Sequence, residues 1–467
     1  MRLRLGRALA HLPSQGPCTW QRHRRTYACS VSASKLQFGQ PVHETHPHIL
    51  DAGQVTPGIT AQEYADRRAA FARLLPQGAV AVVPAAPLLF KSGAVFHPYR
   101  QESNFFWLTG WNEPDALALV ENLGPNPDDY AFYLFVKPKD PAQEQWSGYR
   151  NGVEAAEHIF NADKAYPIHD AAARLPSMLA SASHVYAQDG ALSSIMPRSS
   201  LRTRPLAPLL NGLRVIKSPA EVANMRKAGQ LSGRAMTDAM RRAWTREKDL
   251  HAFLDYTFIT NGCDAPAYIP VVAGGENANC IHYTANNNTI SPNDLILVDA
   301  GGEYGTYISD ISRTWPASGR FSPAQRDLYE AVLAVQRDAV SLCRESANNS
   351  LEYIHDATAR ALVERLRDIS FDVSLSSIHH LFPHHVGHYI GLDVHDCPGY
   401  TRCERLTSGH CVTIEPGVYV PHDDRWPRHF HGMGIRIEDS VCVDKDAPYI
   451  LSIEAVKEVD DIEALRA

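Results

Sequence analysis

The sequence predicts a mixed α/β (α+β) chain of two domains. Three observations carry this. The chain has 467 residues, too many for one ordinary core. Short β-branched apolar runs are interleaved with stretches of helical period. Near the middle, a new helix-start signal resets the pattern. Hydrophobic residues make up 44% and charged residues 21%, which supplies apolar material for two cores and excludes a disordered or fibrous composition. The best membrane candidate, "GAVAVVPAAPLLF" (78–90), is short and broken by prolines, so it reads as core strand and turn. Nine cysteines, an odd number, lack CxxC spacing; they suggest no disulfide-stapled module and fit a reducing compartment.

The N-terminus is compositionally distinct. Six arginines and one lysine precede Glu44, the first acid. Removing those seven charges from the net −7 leaves −14 on the rest, which excludes nucleic-acid binding through bulk charge. On a helical wheel Leu5, Leu9 and Leu12 share one side and Arg4, Arg7 and His11 another, although Arg2 does not fit. This acid-free, amphipathic stretch predicts a mitochondrial presequence. In "RRTYACS" (24–30), Arg25 stands two residues before a bulky Tyr27. That resembles the sites cut by the matrix processing peptidase, here between Thr26 and Tyr27. That cut removes residues 1–26, and subsequent loss of Tyr27 would make 1–27 the presequence, with 28–58 an extended N-terminal segment.

Thr60 with Glu63 three residues on is a cap signal for a helix in "TAQEYADRRAAFARLL". Strands are expected at Ala79–Val83, Ala116–Val120 and Ala131–Val136, with a helix in "GVEAAEHIF", giving a first α/β domain over 59–213. At "RVIKSPAEVANMRKAG", Ser218, Pro219 and Glu221 form a capping-box signature. It places the boundary near Leu213–Lys217 and a second domain over 214–467. Further helices are expected from about Arg246, from Ser322–Pro323 and from Leu351. Between them lies a β-rich stretch, Ala267–Trp315, and the chain is expected to end in strands around "CVTIEPGVYV" and "GIRIEDSVCV".

The second domain concentrates ionisable chemistry. "HHVGHYIGLDVHD" (384–396) packs four histidines and two aspartates into thirteen residues, which by itself fits a metal site, proton shuttles or polar core. "LILVDAGGEYGTYISDISRT" reads as two strands; a turn centred on Tyr304 and Gly305 would set Asp299 opposite Asp310. Glu415 in "TIEPG" and Glu438 in "RIEDS" likewise interrupt apolar strand patterns. Four buried carboxylates repel unless cations sit among them. Mostly oxygen donors with one imidazole suit a hard divalent pair such as Mn2+, and the same set admits Zn2+ or Co2+.

The ordered series Asp299, Asp310, His388, Glu415 and Glu438, in those contexts, resembles the five-ligand site of the pita-bread metallopeptidases, the family of methionine aminopeptidase, prolidase and aminopeptidase P. "YRQESNFFWLTGWNEPDAL" (99–117) resembles the creatinase-type N-terminal domain of aminopeptidase P. "HPHILDAGQVTPGIT" (46–60) and "PHHVGHYIGLDVHD" (383–396) are similar to segments of the mitochondrial branch, the Xaa-Pro aminopeptidases of mitochondria and the fungal intermediate-cleaving peptidases.

The resemblance implies a creatinase-like domain followed by a pita-bread catalytic domain that binds two metal ions, taken as Mn2+. It implies Asp299, Asp310, His388, Glu415 and Glu438 as ligands, with Glu415 also passing protons. His282, His384 and His395 are implied to hold substrate and stabilise the tetrahedral intermediate, Arg436 to orient a carboxylate or substrate group, and Arg150 of "SGYRNG" to approach the cleft. His385 is left to packing or local hydrogen bonding. The implied activity is removal of one N-terminal residue, bulky Tyr, Phe or Leu, from imported precursors in the mitochondrial matrix or at its membrane face, by a homodimer without an integral membrane segment. The alternatives are a general Xaa-Pro aminopeptidase, a prolidase-type dipeptidase, and a non-catalytic pita-bread binding module.

Overall fold

The computed structural model describes residues 37–188, 192, 196 and 202–466. The expected presequence and its Thr26–Tyr27 bond lie outside them. Residues 37–58 are turn-rich, and their strand Gln54–Thr56 pairs with Ile59–Thr60. Asn151 Oδ1 ties this segment down by accepting from the backbone N–H groups of Gly39 and Gln40.

Local signals then set the first elements. Thr60 caps the helix Ala61–Leu74, its hydroxyl accepting from the Glu63 N–H at 3.1 Å. The helix lies on a six-stranded sheet whose spatial order is Thr203–Pro205, Val185–Ala187, Val80–Pro84, Leu117–Asn122, Tyr130–Val136 and Lys164–Pro167. The three expected strands form within a residue or two of their expected ends. Alternation along Val80–Pro84 divides the two faces: Val80 and Val82 join Leu175 and Leu179, while Ala81 and Val83 join Phe71 and Phe132. Each such buried Val or Leu side chain stabilises the packing by about 2 kcal/mol.

After the helix Ala207–Arg214, Ser218 opens the helix Pro219–Met240 with the expected reciprocal capping box: Ser218 Oγ accepts from Glu221 N–H and Glu221 accepts from Ser218 N–H. That helix packs on Glu247–Asn261, and Pro323–Ser341 packs on Leu351–Asp368. One core unites them: Leu231, Leu254, Leu328 and Leu362 meet Val298, Trp315, Val412 and Val441 of the strands they cover. A second core crosses both halves of the chain, joining Phe105 and Trp107 to Met225, Ile390 and Leu451.

Two expectations are corrected. In the hairpin, Tyr304 pairs with Tyr307, so the turn centres on Gly305 and Thr306, both at positive φ. Asp299 therefore stands opposite Ser312 and not opposite Asp310. The register is pinned by a third strand, where Ala265 pairs with Glu303 and Pro266 with Gly302, and by Asp264 Oδ2 accepting from Gly305 N–H at 2.7 Å. The chain also does not end in strands. After Cys411–Ile414, Gly417–Tyr419, Gly434–Arg436, Asp439–Val443 and Pro448–Ile450 comes a helix, Val459–Ala464, seated on the core by Val459 and Ile462. Six residues are too few turns for its period to register. Among the described residues no helix is long and apolar enough to cross a membrane.

Candidate metal centre

Three strands and one irregular segment bring the expected residues together. Asp299 ends the strand Leu295–Asp299, Glu415 follows Cys411–Ile414, Glu438 precedes Asp439–Val443, and His388 lies in the stretch paired with Val412. Asp310, His388 and Glu438 each offer a ligand atom, all within 4.8 Å of one another. His388 Nε2 lies 3.6 Å from Asp310 Oδ2 and 3.6 Å from Glu415 Oε1. Its Nδ1 faces the Tyr389 carbonyl at 3.1 Å; a proton on Nδ1 leaves Nε2 with a lone pair aimed at the carboxylates.

The electrostatics fit a cation. Asp310 is 5% exposed and Glu438 1%. Burial, reinforced for Asp310 by the Asp299 carboxylate and for Glu438 by that of Asp310, pushes both well above the carboxylate range. Burial raises Glu415 to about 7 despite the nearby Arg436, and burial lowers His388 to about 4. The cluster thus holds an imidazole kept neutral and, in Asp310 and Glu438, two carboxyl groups that ionise at neutral pH only with positive charge among them. Carboxylate oxygens with a single imidazole form the donor set of a hard divalent cation.

Arg436, 1% exposed, serves the rim of this cluster. Its guanidinium donates to Asp299 Oδ2 at 2.8 Å, to Ser312 Oγ at 2.7 Å and to the Tyr419 hydroxyl at 2.8 Å. Ser312 Oγ in turn donates to Glu438 Oε2 at 2.7 Å. The Tyr419 hydroxyl lies 2.9 Å from His384 Nε2, and His384 Nδ1 lies 2.9 Å from the His385 carbonyl. Both ring nitrogens of His384 are thereby engaged, and burial lowers its pKa to about 4. The His395 ring sits 4.2 Å from that of His388. Its pKa is lowered by desolvation and then by the charge of His282.

Two tyrosines escape sequence reasoning. The Tyr268 hydroxyl contacts Asp299 Oδ1 at 2.6 Å and also Asp310 Oδ1, so it links the two aspartates that the expected hairpin register would have paired directly. Tyr419 links His384 to Arg436. Both occur in apolar runs, "AYIP" and "GVYV", where a core aromatic is the ordinary reading; the one signal was a buried hydroxyl that needs a partner. His385 is occupied locally: Nδ1 faces the Gly387 carbonyl at 2.8 Å and its ring stacks on His355 at 4.4 Å. Arg150 is occupied within its own domain, donating to the Pro138 carbonyl at 3.1 Å. Among the described residues no hydrogen bond or ion pair joins it to the cluster.

Residues 64–186 match the model of the aminopeptidase P N-terminal domain, and residues 223–445 that of metallopeptidase family M24. Intermediate cleaving peptidase 55 of Saccharomyces cerevisiae is 42% identical over 451 residues, spanning 92% of this chain and 88% of its own. Xaa-Pro aminopeptidase 3 of Homo sapiens is 37% identical over 461 residues, spanning 92% and 90%. The crystal structure of Icp55 from Saccharomyces cerevisiae, lacking its N-terminal 58 residues, matches with a TM-score of 0.85 at 41% identity, covering 89% of this chain and 99% of that one. The chain therefore belongs to the M24 metallopeptidases of the aminopeptidase P type, metallo-aminopeptidases in which a creatinase-like α/β domain precedes a pita-bread domain with a dinuclear metal site.

Proposed function

We propose that this enzyme removes one bulky N-terminal residue, Tyr, Phe or Leu, from precursors already cut by the matrix processing peptidase in mitochondria, and that it works as a homodimer, the state the family resemblance implies. The observation that carries the chemistry is the convergence of Asp310, His388 and Glu438 ligand atoms within 4.8 Å, with Asp299 and Glu415 at its edge. In this reading those five residues hold two divalent ions, taken as Mn2+. Such a pair lowers the pKa of water towards neutrality and draws electron density from the scissile carbonyl.

The chain's own groups do the rest. Glu415 takes a proton from water and returns it to the leaving amine. His282 and His395 donate hydrogen bonds to the developing oxyanion. His384, fixed by Tyr419, shapes the same wall. Arg436 holds Asp299 and Tyr419 in place through the 2.8 Å contacts it makes to each.

The substrate reading rests on likeness to intermediate cleaving peptidase 55 across 92% of the chain and on "RRTYACS", where the chain carries the pattern it would trim. The likeness to Xaa-Pro aminopeptidase 3 favours a second reading, in which the residue after the cut must be proline. Tyr27 is followed by Ala28, so self-trimming separates the two. Wild type and Glu415→Gln are expressed in mitochondria lacking the endogenous enzyme, and mature N-termini are read by mass spectrometry. Ala28 for wild type with Tyr27 for the variant is expected. Tyr27 in both rejects self-trimming, and Met1 in both rejects the presequence.

A further inference from the structure

His395 stands in a stretch, Gly391–Cys397, that forms neither helix nor strand, so repetitive backbone bonding does not fix its position. Two aspartates bracket it, and both are held by one arginine from the domain boundary. Arg214, 2% exposed, donates through Nη2 to Asp393 Oδ2 at 3.0 Å and to Asp396 Oδ1. Through Nη1 it donates to Asn104 Oδ1 of the first domain at 2.7 Å. Lys217 Nζ donates to Asp396 Oδ2 at 2.8 Å, and Ser103 Oγ, also of the first domain, donates to Asp393 Oδ1 at 2.6 Å. Arg100 completes the contact by donating to the Leu392 carbonyl. The stretch carrying His395 is thus seated against the helix Ser103–Thr109 through a charge cluster with the buried Arg214 at its centre.

We propose that Arg214 is a positioning residue: it sets the place of His395 and makes docking of the first domain a condition for that placement. The inference rests on the substrate role given to His395 above. Its physical basis is geometric. A planar guanidinium can bridge two carboxylates and an amide at fixed angles, whereas an ammonium offers a single point charge. Arg214→Lys keeps the charge that Asp396 needs but cannot hold all three partners. A displacement of about 1 Å at a substrate-binding group is enough to cost on the order of a hundredfold in rate.

The test is a double-mutant cycle on the full-length, Mn2+-loaded enzyme with a peptide beginning in tyrosine. Arg214→Lys is expected to lower kcat/KM on the order of tenfold to a hundredfold, with metal content unchanged and faster hydrogen exchange in 391–397. In a His395→Ala background the same change is expected to add almost nothing, because its route to the reaction has gone. Asp393→Asn, at a carboxylate whose side chain is 42% exposed, repeats the cycle without emptying a buried site and decides the matter should Arg214→Lys not fold. Equal losses in both backgrounds, or unchanged exchange in 391–397, overturn the proposal. Full activity in His395→Ala alone overturns the role of His395 instead, and the exchange measurement still decides whether Arg214 places the stretch.

Discussion

The Tyr419 hydroxyl lies 2.9 Å from His384 Nε2, and the Arg436 guanidinium fixes that hydroxyl from its other side. With the His385 carbonyl facing Nδ1, the ring is held at both nitrogens. Tyr419→Phe removes the hydroxyl and keeps the ring's volume. It is expected to lower turnover on the order of tenfold to a hundredfold, with metal content and far-UV circular dichroism unchanged. Loss of metal in this variant would place Tyr419 in the metal site itself.

The carboxylates are expected to behave differently. Asp310→Asn and Glu438→Gln each delete a charge from the ligand cluster, while the fold rests on the apolar core around Val298, Val412 and Val441. Activity and most of the metal should be lost from a folded chain, as read by mass spectrometry of bound metal and by circular dichroism. An active Glu438→Gln enzyme is incompatible with the assigned site.

Among the histidines the losses should separate. His395→Ala should reduce turnover far more than metal content, and His388→Ala should reduce both. If His385→Ala proves the most damaging, the register along "HHVGH" is wrong.

Metal should also stabilise the fold by mass action, since it binds the native cluster and not the open chain. Thermal unfolding with increasing Mn2+ is expected to shift upward for wild type and to stay flat for Glu438→Gln. A parallel rise in both would assign the stabilising ion to another place.

Acid should act through a different residue. Lys217 and Arg214 outweigh burial and hold Asp396 at about 2, below its ordinary 3.8. A lowered folded pKa means stability that is present in full above the unfolded value and lost as pH falls through the folded one. The contribution is about 2 kcal/mol. Denaturant midpoints of wild type and Asp396→Asn should differ above pH 4 and converge towards pH 2. A gap that stays constant across this range would show that the ionisation of Asp396 is not what stabilises the wild type.

What was legible in the sequence had local causes. Ser218 and Glu221 cap a helix because their partners lie three residues away. The strand Val80–Pro84 could be read because its alternation is written along a few residues. Asp299, Asp310, Glu415 and Glu438 stood out because each interrupts an apolar strand pattern, whereas only the family resemblance singled out His388 among the four histidines of its stretch and joined the five into one site.

Only tertiary structure decided how those positions meet. Tyr268 reaches Asp299 across 31 residues, Arg436 reaches Asp299 across 137, and Arg214 reaches Asp396 across 182; no local period records such pairs. The hairpin's turn moved by one residue, and the partner of Asp299 by two, because a third strand, Ala265–Pro266, fixed the register from outside. The sequence by itself determined which chemical groups are present and which elements carry them, since propensity, caps and alternation act over a few residues. Packing decided which hydroxyl links two aspartates and which arginine holds the His395 stretch, because a buried polar group takes whatever partner the folded core brings within hydrogen-bond reach.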